Sequence, residues 1–175
     1  MSGVSSWCLW GLSETLASFN RLSRGGAEQR LLACCGSRAW ASRVAAGRPY
    51  ASVAALVETG DTIWGELKPS DWLEAFGAHP RIGERGGHSP ASSNREQKGI
   101  MSAREEVLAL VAEGNRLYEE RFGHVFLISA AGRSAEDVLA ALRQRIENDP
   151  ASELHVAAEE QRKITRLRLK SMLSS

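Results

Sequence analysis

The sequence predicts an all-α protein, a single-domain helical bundle, and three observations carry that prediction. Apolar residues recur at three- and four-residue spacings along most of the chain. Serine, aspartate and proline stand where several of those patterns begin. The one strand-like run, Val125-Phe126-Leu127-Ile128, stands alone between Gly123 and Gly132. A single strand makes no sheet, so this run is expected as an extended segment packed among helices.

Taken in order, Ala27 to Cys35 and Arg38 to Ala46 read as two short helices parted by Gly36. A third runs from about Tyr50 to Leu67. Pro69-Ser70-Asp71 opens a fourth through Trp72, Leu73 and Phe76, since proline suits a first helical turn. From His79 to Asn94 two prolines, three glycines and several serines predict a loop, with Arg95-Glu96-Gln97 opening the next helix. Ala103 to Arg121 carries Val107, Leu108, Leu110, Val111, Leu117 and Tyr118 on an amphipathic pattern that Gly123 ends. Ser134 with Asp137 is a capping start for a helix through Val138, Leu139, Leu142 and Ile146. Asp149-Pro150 opens the last, with Leu154, Ala157, Ala158, Ile164 and Leu167 at helical spacing. Its acidic residues come early and its basic ones late, which complements the helix dipole. Trp40, Trp64 and Trp72 are expected as core anchors.

At 175 residues the chain fits one domain, here 12–175 after an extension over 1–11 that holds Trp7 and Trp10. A net charge of +1 offers no field for nucleic acid or an anionic membrane. No run of about 20 apolar residues exists to span a bilayer. The broken apolar start, with no basic residue before it, does not read as a signal peptide, and the expected location is cytoplasmic. Cys8, Cys34 and Cys35 make a poor disulfide framework, and Cys34 and Cys35 are expected as buried thiols on a helix.

Chemistry is best sought around the loop. His79 precedes Pro80 at the end of a helix and titrates near neutrality. Glu96 follows the loop, so folding can bring an acid and an imidazole to one pocket. Ser93, Gln97 and free N–H groups at a helix start add donors for a small anion. The plain alternatives are a helix-end histidine facing the dipole and a capping carboxylate. A metal-dependent hydrolase using His79, His88 and Glu84 is a rival enzyme class, although no compact zinc spacing is present. A helical interaction protein is the rival outside enzymes. Arg81, Arg145 and Arg168 are each candidate carboxylate holders, among which the sequence does not choose. His124 and His155 fit surface or packing roles.

Several of these segments resemble one known family. The run Asp71-Trp72-Leu73-Glu74-Ala75-Phe76-Gly77-Ala78-His79-Pro80-Arg81-Ile82-Gly83-Glu84 is similar to the segment around the catalytic histidine of the 2-oxo-4-hydroxy-4-carboxy-5-ureidoimidazoline (OHCU) decarboxylases. Ser93-Asn94-Arg95-Glu96-Gln97 resembles their Ser-x-x-Glu-Gln element, and Arg121-Phe122-Gly123-His124-Val125-Phe126 their Arg/Lys-Phe-Gly-x-x-Phe segment. Cys34 to Trp40, Arg48-Pro49-Tyr50, Lys163-Ile164 and Arg168-Leu169 fit as well, in order, over about residues 12 to 173.

The resemblance implies an all-helical homodimer without metal or organic cofactor. It implies loss of CO2 from the ureidoimidazoline to give (S)-allantoin, in urate degradation. His79 would be the proton donor and Glu96 its polar partner. Pro80, Ser93, Asn94, Arg95, Glu96, Gln97 and the backbone of Leu127, Ile128, Ser129, Ala130 and Ala131 would contact substrate.

Overall fold

The computed structural model describes residues 15–83, 90–101, 103 and 105–173. Within them the chain forms ten helices and no strand: α1 Leu16–Arg21, α2 Arg24–Cys34, α3 Arg38–Ala46, α4 Val53–Gly65, α5 Pro69–Phe76, α6 Pro90–Glu96, α7 Lys98–Met101, α8 Glu105–Phe122, α9 Ala135–Arg145 and α10 Pro150–Met172. The expected extension over 1–11 lies outside the described residues, as do Cys8, Trp7, Trp10, Glu84 and His88.

Side-chain caps explain where these helices start. Thr15, Ser23, Ser37, Ser52, Ser134 and Asp149 each accept from the backbone N–H three residues on, which satisfies a donor with no intrahelical partner. At α9 the cap is reciprocal: Asp137 N–H donates to Ser134 Oγ at 3.1 Å and Ser134 N–H to Asp137 Oδ2 at 3.0 Å. Gly123, at φ +74°, closes α8 in a left-handed conformation that an L side chain rarely adopts.

The apolar faces converge on two cores. Residues of α1 to α5 and α10 form the first, with Phe19, Leu31, Trp40, Leu56, Phe76 and Leu169 buried in it. Residues of α7 to α9 form the second, around Ile100, Val111, Tyr118, Val138 and Leu142. Each such side chain contributes about 1.5–3 kcal/mol by leaving water. The segment after Gly123 runs between the two: Val125 and Leu127 pack into the first core, and Phe126, Ile128 and Ala130 into the second. That two-residue alternation is what an extended backbone produces, and its strand-like composition follows from having two apolar sides to fill.

Trp40, Trp64 and Trp72 are core anchors as expected, each with its indole N–H satisfied. Trp40 donates to Gly60 O (2.9 Å), Trp64 to Ala158 O (3.0 Å) and Trp72 to Trp64 O (3.0 Å). Helix α1 was not foreseen. The loop expected over His79 to Asn94 needs a larger correction, because α6 begins at Pro90 and carries Ser93 and Asn94. Glu96 therefore ends a helix rather than opening one. The serine-rich composition suggested a loop, but proline suits a first turn, and a tertiary contact made by Ser93 outweighs weak intrinsic propensity.

Candidate functional site

The site is assembled on α10, whose 23 residues cross the first core. Gln161, Thr165 and Arg168 lie four and three residues apart, on one buried face. Arg168 reaches α6: its Nε donates to Glu96 Oε1 at 2.8 Å, and its Nη2 to Glu96 Oε2 at 2.9 Å and Ser93 Oγ at 3.3 Å. This two-pronged pairing orients the guanidinium and leaves Nη1 without a protein partner among the described residues. Ser92, Arg95, Glu96, Ala131, Leu167, Arg168 and Ser171 wall a cavity of about 270 Å³ beside it. A wider concavity along α8 is walled by Arg81, Arg116, Glu119 and Glu120, charges already paired with one another in solvent.

His79 stands two residues past the end of α5's cap, with its N–H on Phe76 O at 3.1 Å. It is half-buried and does not line the cavity. Burial and the neighbouring Arg168 charge push its ring down to about 3, opposed by hydrogen bonding to the Gln161 amide. The site thus holds a neutral imidazole at physiological pH. The turn that follows is braced from two sides: Gly83 N–H donates to Gln97 Oε1 (2.8 Å), and Asn115 Nδ2 to Ile82 O (2.9 Å). Behind it Gly36 comes so close that an added Cβ would sit 2.4 Å from Ala78 Cβ, which explains the glycine between α2 and α3.

The segment over Leu127 to Ala131 is clamped through its backbone. Arg145 Nη1 donates to Leu127 O (2.6 Å), Ser129 N–H to Glu160 Oε2 (2.7 Å), and Arg133 Nε to Ser129 O (3.1 Å). Burial raises the Glu160 carboxyl, but Lys163 and the Ser129 amide outweigh it and hold Glu160 ionised. Of this segment, exposed Ala131 reaches the cavity wall.

The structure therefore gathers Ser93, Glu96 and Ala131 around Arg168 and sets His79 within that arginine's field. Arg95 joins the cavity rim and Asn94 is exposed. Gln97 is buried, with its oxygen committed to Gly83. Pro80 is half-buried beside His79. Of the three candidate arginines, Arg81 pairs with Glu119 at the surface and Arg145 with Glu153 in the core, leaving Arg168 at the site. His124 packs against Phe76, Tyr118 and Phe122, and His155 is exposed beside Trp72. Cys34 and Cys35 are buried, free, and pushed up to about 12 and about 11 by burial, which keeps them protonated. No three His, Cys, Asp or Glu converge as a metal site among the described residues; His88 and Glu84 lie outside them.

Sequence reading missed Gln161, Thr165 and Glu160. The available signal was position: Gln161 falls on the Ala157–Ile164–Arg168 stripe of α10, where a neutral polar residue interrupts an otherwise inward-facing pattern.

Comparison with known proteins identifies the family to which this chain is similar. The family model for OHCU decarboxylase matches residues 20–170. The Arabidopsis thaliana uric acid degradation bifunctional protein TTL is 37% identical over 81% of this chain, which spans 45% of that longer protein. The 2-oxo-4-hydroxy-4-carboxy-5-ureidoimidazoline decarboxylase of Amia calva is 31% identical over 76% of this chain and 79% of its own. A crystal structure of an OHCU decarboxylase in the presence of (S)-allantoin superposes with a TM-score of 0.75 at 36% identity, covering 85% of this chain and 99% of that one. With a family model spanning most of its length and the same helical fold, the chain belongs to the OHCU decarboxylase family.

Proposed function

We propose that this protein decarboxylates 2-oxo-4-hydroxy-4-carboxy-5-ureidoimidazoline to (S)-allantoin, a step of urate degradation. The observation that carries the reading is Arg168, fixed by Glu96 and Ser93 beside a cavity, with one N–H edge unused among the described residues, and next to a neutral His79.

In this reading the free edge of Arg168 receives the substrate carboxylate, and Glu96 holds both the guanidinium and the substrate hydroxyl in register. The bond between the ring carbon and the carboxylate breaks, CO2 leaves, and the electron pair passes into the unsaturated ring, whose nitrogen takes a proton from solvent. The resulting enol then loses its hydroxyl proton while the adjacent ureido-bearing carbon gains one. His79 delivers that proton to a single face, which fixes the S configuration. An anion on Arg168 also cancels the charge that disfavours imidazolium, so His79 becomes protonatable when substrate is present. Pro80, Ser93 to Gln97 and the backbone of Leu127 to Ala131 complete the pocket. Positioning and proton transfer suffice for this chemistry without a cofactor.

The domain is taken to span 12–175. Assembly as a homodimer and a cytoplasmic location belong to the same proposal; among the described residues no helix is long and apolar enough to cross a membrane. Light scattering on the purified chain reads the assembly directly.

The test is circular dichroism on freshly generated ureidoimidazoline. The native chain should build the (S)-allantoin signal quickly, and His79→Ala should lose about 10²- to 10⁴-fold in rate. Full stereoselective activity in His79→Ala would overturn the assignment.

A further inference from the structure

Gln161 is fully buried, and half of its amide is accounted for. Its Nε2 donates to Thr165 Oγ1 at 3.1 Å, one turn along α10, which fixes the plane of the amide and turns Oε1 away from Thr165. Among the described residues Oε1 has no donor at full hydrogen-bonding geometry. A buried amide oxygen left this way keeps its full desolvation penalty, so its retention calls for a function. The His79 ring lies near enough for its protonation to be raised by this amide, and the unpartnered Oε1 is the acceptor on offer. Contacts of this kind are often long in an empty site and close when ligand binds.

We propose that Gln161 is the positioning residue for His79: Thr165 anchors its amide, and its Oε1 accepts the N–H of one imidazole nitrogen, turning the other nitrogen toward the substrate. The proposal rests on the reading of His79 as the proton-transfer residue. It also specifies the direction of transfer. With one N–H held by Gln161, the substrate-facing nitrogen carries a lone pair. It takes the proton released by the substrate hydroxyl, becomes imidazolium, and returns that proton to the adjacent carbon, while the electron pair left by CO2 takes one proton from solvent at the ring nitrogen, so one proton is consumed overall. Gln161 stays neutral throughout, as does an amide in any protonation state of its neighbour. The charged and titratable groups around this pair are Arg168 on α10, Glu96 bound to it from α6, and Cys34 and Cys35 at the end of α2, which feel the same arginine.

Nitrogen-15 NMR of the imidazoles, four histidines in all, reads the His79 tautomer without any turnover. The native protein should show one tautomer. Gln161→Met, close in shape and unable to accept, should show a mixture, and kcat should fall about 10- to 100-fold with KM little changed. Gln161→Glu should restore the single tautomer and move the acidic limb of the pH–rate profile upward, because a carboxylate favours imidazolium. An unchanged tautomer in Gln161→Met overturns the inference, whether activity and melting temperature hold or fall together. His79→Asn separates the two layers. If it keeps full activity, the reading of His79 fails; if it is inactive while Gln161→Met matches the native enzyme, Gln161 alone is misassigned.

Discussion

The described residues contain two sheltered arginine–glutamate pairs, and they differ in what is left over. Arg145 and Glu153, with side chains 10% and 0% exposed, consume one another and everything near them. Arg145 donates to Glu153 Oε1 from Nε (2.9 Å) and Nη2 (2.5 Å) and to Leu127 O from Nη1, and its guanidinium lies 4.5 Å from the Phe126 ring centre. Tyr118 and Asn148 donate to the Glu153 carboxylate. Burial and the Glu153 contact push the Tyr118 hydroxyl far up, so it remains a donor. Arg168 and Glu96, 8% and 19% exposed, make a similar two-pronged contact but keep one edge of the guanidinium and a cavity beside it. A saturated pair has nothing to offer a ligand and fixes the fold. An unsaturated pair of the same chemistry, held equally still, has a charged edge to offer an anion.

The strongest way to break this contrast is Arg145→Ala. It strands a fully buried carboxylate and the Leu127 carbonyl, and should cost about 3–5 kcal/mol in urea unfolding. A loss below 1 kcal/mol would show that the pair is not what holds the Leu127 segment.

Next comes Arg168→Lys, which keeps the charge but not the fork. It should lower kcat/KM about 100-fold with a melting temperature close to native, since an ammonium cannot serve Glu96 and a carboxylate in one plane. Unfolding comparable to Arg145→Ala would erase the distinction between the two pairs.

The smallest effect is a pH dependence. His79 is held at about 3 in the fold against an ordinary 6.5. Above 6.5 both folded and unfolded chains carry it neutral and its contribution to stability is complete. As pH falls from 6.5 toward 3 the unfolded chain takes up the proton first, and that contribution is lost. The melting temperature of the native protein should therefore drop more steeply over this window than that of His79→Asn. A saturating anion on Arg168 should narrow the difference.

Much of the fold was legible because it is written in local rules. Ser134 with Asp137 and Asp149 with Pro150 are capping chemistry that any helix start would use. Val125 to Ile128 could be read as an unpaired extended run from its isolation alone. The stretch after Pro90 was misread because its polar residues favour helix only through Arg168, a residue more than seventy positions away. His79 and Glu96 were legible as candidates from residue type, flanking Pro80 and resemblance. Glu96's true partner was not, since three arginines of equal chemistry were on offer.

The sequence by itself determined most of the helices, several of their capped starts, the apolar stripes that join them, and the chemical types around His79. These depend on neighbours within about four residues, where periodicity and capping operate. Only the tertiary structure decided which arginine is spent on the core and which stands beside a cavity, and that Gln161 is buried with an amide oxygen left over among the described residues. Those outcomes depend on which polar groups lose their solvent on packing, a quantity that no single helix possesses until the others close around it.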